Sequence, residues 1–142
     1  MDTIPQKTEK PFCFVINCHL GRFYPGGWGN GYVAIPPGHE LHGMSYDMIH
    51  NNYTINVHGG LTYADYPVGS RLEGIPEDWW VIGFDTCHYG DNLTKWPESA
   101  VRAEAQRLLY QVNNLTQITI DISFEEETPK MLPQTTEEQQ DT

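Results

Sequence analysis

Asp78-Trp-Trp-Val-Ile-Gly-Phe-Asp-Thr-Cys-His-Tyr-Gly-Asp91 decides how the rest of the chain is read. Its apolar half, Trp79 to Phe84, has the length and the aromatic and β-branched content of a buried strand. Adjacent strand positions face opposite ways, so Trp79 and Trp80 must serve two different faces of one sheet. The polar half follows at once. Asp85, His88 and Asp91 arrive at the end of a rigid element, the kind of support that metal ligands and proton-transfer groups need.

Upstream, the alternating run Tyr53 to Val57 predicts another strand, which leads directly into His58-Gly59-Gly60-Leu-Thr-Tyr63. The order is the same in both stretches: strand, histidine, glycine. Glycine after a functional side chain lets the backbone turn sharply or approach a ligand closely. His39 and His42, in Gly38-His-Glu-Leu-His-Gly43, and His19 are further candidate ligands, but a loop does not fix the relative orientation of the pair, and a hydrogen-bonded histidine accounts equally well for each.

Further out, Phe12 to Cys18 is mostly apolar and reads as a strand buried on both faces. Arg22-Phe-Tyr-Pro-Gly-Gly-Trp-Gly-Asn-Gly31 is a glycine-rich loop that lacks both the spacing and the lysine of a phosphate-binding loop. Tyr32 to Ile35 then forms a hairpin partner, stopped by Pro36-Pro37-Gly38. Ser45 is placed to cap a turn of helix over 46–50, and residues 64–77 make a long irregular connection. Downstream, Pro97 suits the first helical position, and Val101, Ala105, Leu108, Leu109, Val112 and Leu115 recur at helical spacing. Gln117 to Phe124 alternates as a last strand.

These elements predict an α+β domain: a mixed or antiparallel sheet of about five strands with one main amphipathic helix on one face. Residues 1–10 read as a flexible lead-in, 11–124 as the globular domain, and 125–142 as a disordered acidic tail that folding does not require. At 142 residues the chain suits one domain. Its net charge is −11, but 121–142 alone carry seven acids and one lysine, so the remaining twelve acids and seven bases leave the body at −5. Such a surface gives no reason to expect direct nucleic-acid binding, which needs clustered Lys and Arg.

Cys13, Cys18 and Cys87 form no CxxC pair and are odd in number, which argues against a disulfide framework or a cysteine-based zinc site. With no apolar leader or membrane-length run, the expected setting is cytoplasmic. The Asn-x-Thr triplets at Asn52, Asn92 and Asn114 are then incidental.

The segments Val57-His-Gly-Gly-Leu-Thr-Tyr63 and Trp79-Trp-Val-Ile-Gly-Phe-Asp-Thr-Cys-His-Tyr-Gly-Asp91, with Gly31-Tyr-Val-Ala-Ile-Pro-Pro-Gly-His-Glu-Leu-His-Gly43 upstream, resemble a group of short uncharacterised proteins encoded by bacteriophages and prophages. The likeness spans roughly residues 30–112. It implies a phage or bacterial cytosolic setting and no reaction.

Two functions are expected from the residues. In the first, His58, Asp85 and His88 are catalytic on a phosphoester or nucleotide-like molecule, either as a metal-free acid–base site or with Asp91 as a fourth ligand to zinc or manganese. In the second, the protein binds a nucleotide without turnover and sequesters a host signalling nucleotide, with Trp28, Tyr63, Tyr89 and Trp96 available to stack a base and Arg22 contacting phosphate. Both need His58 beside the 85–91 loop. If the strands ending at Val57 and Phe84 ran antiparallel, their exits would lie about 20 Å apart, so a shared site predicts a parallel pair.

Overall fold

The structure is a computed structural model in which residues 9–18, 25–67, 72 and 74–118 are described. Among them, four strands and two helices follow the order β1 (Phe12–Asn17), β2 (Gly29–Ile35), α1 (Tyr46–Asn52), β3 (Tyr63–Asp65), β4 (Trp80–Phe84), α2 (Glu98–Asn113). The strands make one sheet in the order β1-β2-β4-β3, with every pairing antiparallel. The domain is α+β, with four strands rather than the five expected.

β4 is buried along its whole length because it lies between β2 and β3 with both faces covered. On one face Trp80, Ile82 and Phe84 join Val33 and Ile35 of β2 and meet Val101, Ala105, Leu108 and Val112 of α2. On the other, Trp79 and Val81 join Tyr32, Ala34 and Leu72. The two tryptophans thus serve opposite faces, and the Trp80 indole N–H is satisfied by the Met44 carbonyl at 2.9 Å.

β2 starts three residues earlier than its aromatic run suggests, inside the glycine-rich segment. A Cβ on Gly31 would enter the Phe84 ring, so the absent side chain is what lets the strand continue past its neighbour. β1, expected to be buried on both faces, is an edge strand with all its side chains at least partly exposed. Ser45 caps α1 by accepting from the Met48 N–H, as its type and position predicted. Pro97 occupies the N-cap of α2, one position before the first helical residue.

Two expected strands differ. Among the described residues Tyr53–Val57 forms no ladder: Tyr53 makes an isolated bridge to Gln117, the Thr54 N–H donates to the Thr116 carbonyl, and the rest of the segment is pinned to α2 by side chains. Gln111 accepts from the Asn56 N–H and, with Arg107, donates to the Asn56 carbonyl. Alternation signalled an extended segment but not the nature of its partner. The short β3, within Leu-Thr-Tyr-Ala-Asp, was hidden by the same glycines that marked His58. For the last strand, only the Gln117 bridge falls among the described residues; 119–124, the acidic tail 125–142 and most of the N-terminal lead-in lie outside them. Among the described residues no helix is long and apolar enough to cross a membrane.

The turn carrying the first histidine pair is built on neutral imidazole. His39 Nδ1 accepts the Leu41 N–H at 3.1 Å. Burial pushes His39 below its ordinary value of 6.5, against the opposing pull of Glu40. The unfolded chain therefore takes up this proton before the folded one does. The contribution to stability is complete above pH 6.5 and is lost as pH falls through the lowered folded value. His39→Asn, whose amide oxygen can accept from Leu41, is expected to show a smaller drop in melting temperature between neutral and mildly acidic pH than the unmodified protein. Thermal unfolding across that range checks it.

Candidate functional site

His58 and the 85–91 loop meet, although no parallel strands bring them together. The loop leaves β4 and is fastened to the start of β2 by the buried Thr86, whose hydroxyl donates to the Gly29 carbonyl at 2.8 Å and whose carbonyl accepts from Gly27 N–H at 2.8 Å. Residues 88–91 then form a turn closed by the Asp91 N–H to the His88 carbonyl, 2.9 Å. The Asp91 side chain folds back over that turn and accepts the His88 N–H at 2.9 Å.

The same carboxylate takes His58. His58 Nε2 lies 3.0 and 2.9 Å from the two Asp91 oxygens, with Asp91 only 6% exposed and His58 25% exposed. A carboxylate can only accept, so neutral His58 carries its proton on Nε2 and leaves Nδ1 as the basic nitrogen. Trp96 packs on the imidazole at 4.3 Å between ring centroids. The chain reaches this position because Val57–Gly60 is a turn, closed by the Gly60 N–H to the Val57 carbonyl at 2.8 Å. Glu104 of α2 accepts the His58 N–H at 2.8 Å. Burial alone would raise the Glu104 pKa, but its hydrogen bonds from Arg107 and His58 N–H, with the Arg107 charge, outweigh that and hold it below the ordinary carboxylate value.

His88 is the second imidazole, its ring centroid 5.3 Å from that of His58 and edge-on to it. Its Nε2 is buried without a hydrogen bond among the described residues. Asp85 Oδ1 is 3.3 Å away, close enough for an ion pair with a protonated ring but without hydrogen-bond alignment. Asp85 Oδ1 instead accepts the Cys87 N–H at 2.9 Å. A cavity of ≈360 Å³ opens beside this cluster, walled by Pro25, Gly26, Cys87, His88, Tyr89 and Asp91 among others.

The other expected residues divide. Tyr89 is fully exposed at the cavity rim. Trp28 is half-buried against the core, its backbone N–H donating to the Trp96 carbonyl, and it does not line the cavity. Tyr63 lies on the opposite sheet face, edge-on to Tyr32 at 5.6 Å, away from the histidines. Arg22 and His19 lie outside the described residues. His58, Asp85, His88 and Asp91 form two imidazole–carboxylate pairs; among the described residues no three His, Cys, Asp or Glu side chains are arranged to hold a metal ion.

Neither the packing of Trp96 on His58 nor the bond from His58 N–H to Glu104 was expected from the sequence. Both contacts are tertiary, and on the sequence Glu104 is one more acid on the polar face of a helix. The larger cavity, ≈690 Å³, lies elsewhere, beside Pro37, His42, Asp65, Tyr66, Glu77 and Asp78. There His42 donates to the Asp78 carbonyl at 2.7 Å and pairs with no carboxylate side chain among the described contacts, so size alone does not make it the reactive site. Searches against protein-family models, curated proteins and solved structures found no match to this chain.

Gly59 is where the two histidine stretches touch. It has φ +70°, and a Cβ there would overlap the His88 ring. Gly38 has φ +94° with open space around it. Gly59→Ala should therefore cost more than Gly38→Ala, which carries only the roughly 1–2 kcal/mol of a left-handed residue. Thermal unfolding of the two variants should separate them by several degrees, and His88 ring resonances should shift only in Gly59→Ala.

Proposed function

We propose that the protein is a small acid–base hydrolase acting on a phosphoester or nucleotide-like small molecule, with His58 as general base. The observation that carries this reading is the buried Asp91 carboxylate, which fixes the His58 ring and the His88 backbone at once. A carboxylate that orients an imidazole and stabilises its protonated form makes it an effective base. Water deprotonated at His58 Nδ1 would attack the phosphorus. His88, paired loosely with Asp85 on the cavity wall, would give a proton to the leaving oxygen. A buried ring nitrogen without a hydrogen bond is unusual in a purely structural histidine and supports a chemical role for His88.

The same residues could instead hold zinc or manganese only if both imidazole–carboxylate contacts opened to the ion. With the phage-type setting that the sequence resemblance implies, such an activity would act in an infected or lysogenic cell.

The test is hydrolysis of linear and cyclic nucleotides and of an aryl phosphodiester by the purified protein, with and without a chelator. Turnover that survives chelation and falls about 10²–10⁴-fold in Asp91→Asn and in His88→Ala, both still folded by circular dichroism, is the expected result. Activity lost to the chelator and restored by manganese or zinc would replace the acid–base reading with the metal one. Stoichiometric nucleotide binding with no turnover would replace it with sequestration, and neither binding nor turnover would overturn it.

A further inference from the structure

His58 is held at its edge by Asp91, and that contact alone leaves the ring free to tilt. Its Nε2 lies 3.0 and 2.9 Å from the two Asp91 oxygens, so the bond is shared and selects neither. Acceptor directions at a carboxylate are broad, so a shared bond fixes where Nε2 points but not how the imidazole plane is turned about it. A side chain against the flat of the ring removes that freedom, and Trp96 is placed there. The two ring centroids are 4.3 Å apart, with 37° between the planes.

The chain fastens Trp96 on both sides. Its backbone N–H donates to the Asn92 carbonyl at 2.9 Å, and its carbonyl accepts the Trp28 N–H at 2.8 Å, which ties it to the approach to β2. Pro97, the N-cap of α2, follows at once, and the indole is partly buried against the core. Asp91 and Trp96 thus come from one connection between β4 and α2, the first meeting the edge of His58 and the second its face. Trp96 does not line the cavity beside the cluster. The indole that the sequence offers for stacking a base is already engaged with the imidazole.

We propose that Trp96 is a positioning residue for His58, holding the imidazole plane against Asp91 and stabilising the ring once Nδ1 has taken a proton. This role rests on the reading of His58 as general base. As Nδ1 receives the proton of the attacking water the ring becomes a cation, and a cation within about 6 Å of an indole centroid is attracted by the ring quadrupole. No bond forms or breaks at Trp96. The attraction is weaker while the imidazole is neutral, so it favours the transition state over the bound substrate. Asp91 acts in the same direction through its charge. Of the other ionisable groups around His58, Glu104, paired with Arg107, meets its backbone N–H, and His88 stands edge-on at 5.3 Å with Asp85 beyond it. Trp96 is the contact that supports the flat of the ring.

Steady-state hydrolysis of an aryl phosphodiester and NMR of the His58 ring, both on the full chain, test this. Trp96→Leu, which fills space without a flat face, is expected to lower kcat about tenfold with KM changed less than about twofold, and Trp96→Phe to recover most of the loss. Nitrogen shifts of the imidazole should show one His58 tautomer, protonated at Nε2, in the unmodified protein and in Trp96→Phe, and both tautomers in Trp96→Leu. The NMR needs no turnover, so it keeps the two failures apart: no hydrolysis with this tautomer pattern sinks the hydrolase reading and leaves the role of Trp96 toward the ring standing. If Trp96→Leu misfolds by circular dichroism, Trp96→Met takes its place. In a protein that turns over, an unchanged kcat, with or without a raised KM, or a Trp96→Phe no better than Trp96→Leu, overturns the proposal. A single tautomer kept in Trp96→Leu, or two tautomers in the unmodified protein, overturns it with or without turnover.

Discussion

A five-residue strand with no polar face constrains everything around it. Trp80–Phe84 is apolar on both sides, so the sheet that contains it must be covered twice. α2 covers one face through Val101, Ala105, Leu108 and Val112; on the other, Leu72 and Ile75 of the connection before β4 pack with Trp79, Tyr32 and Val81. Because β4 is central, its last residue exits into a loop that is itself held against the sheet, by Thr86 on the backbone of β2. The polar groups of 85–91 therefore start from a fixed point.

Asp91 is the second organising interaction, and it works through hydrogen bonds rather than apolar burial. One nearly buried carboxylate closes its own turn and captures an imidazole from thirty-three residues upstream. Removing His58 would leave the nearly buried Asp91 carboxylate with the His88 N–H as its remaining described partner, and an under-satisfied buried carboxylate costs more than the hydrogen bond gains. His58 sits on a segment that joins no β-ladder among the described residues: α2 holds its end through Glu104, Arg107 and Gln111. A helix side-chain clamp allows Val57–Gly60 to turn where a ladder would have carried the chain straight on.

The two edges of the sheet are managed differently. β3 is short, only three residues, and ends in Asp65, both of which discourage strand addition. β1 has six residues and neither defence.

Much of the fold was legible in the sequence because it rests on local chemistry. The period of Val101 to Val112, the cap at Ser45, the two-sided apolar run at Trp79–Phe84 and the hairpin of β1 with β2 all follow from side chains within a few residues of one another. The concentration of histidine, glycine and carboxylate in 57–63 and 85–91 was equally visible. Tertiary structure alone decided the rest. An alternating segment such as Tyr53–Val57 announces extension but not whether a strand or a helix side chain will satisfy its backbone. The route by which His58 reaches Asp91 depends on a turn whose third residue, Gly59, passes directly under His88. That contact joins residues far apart in the chain, and no local pattern encodes the distance between them.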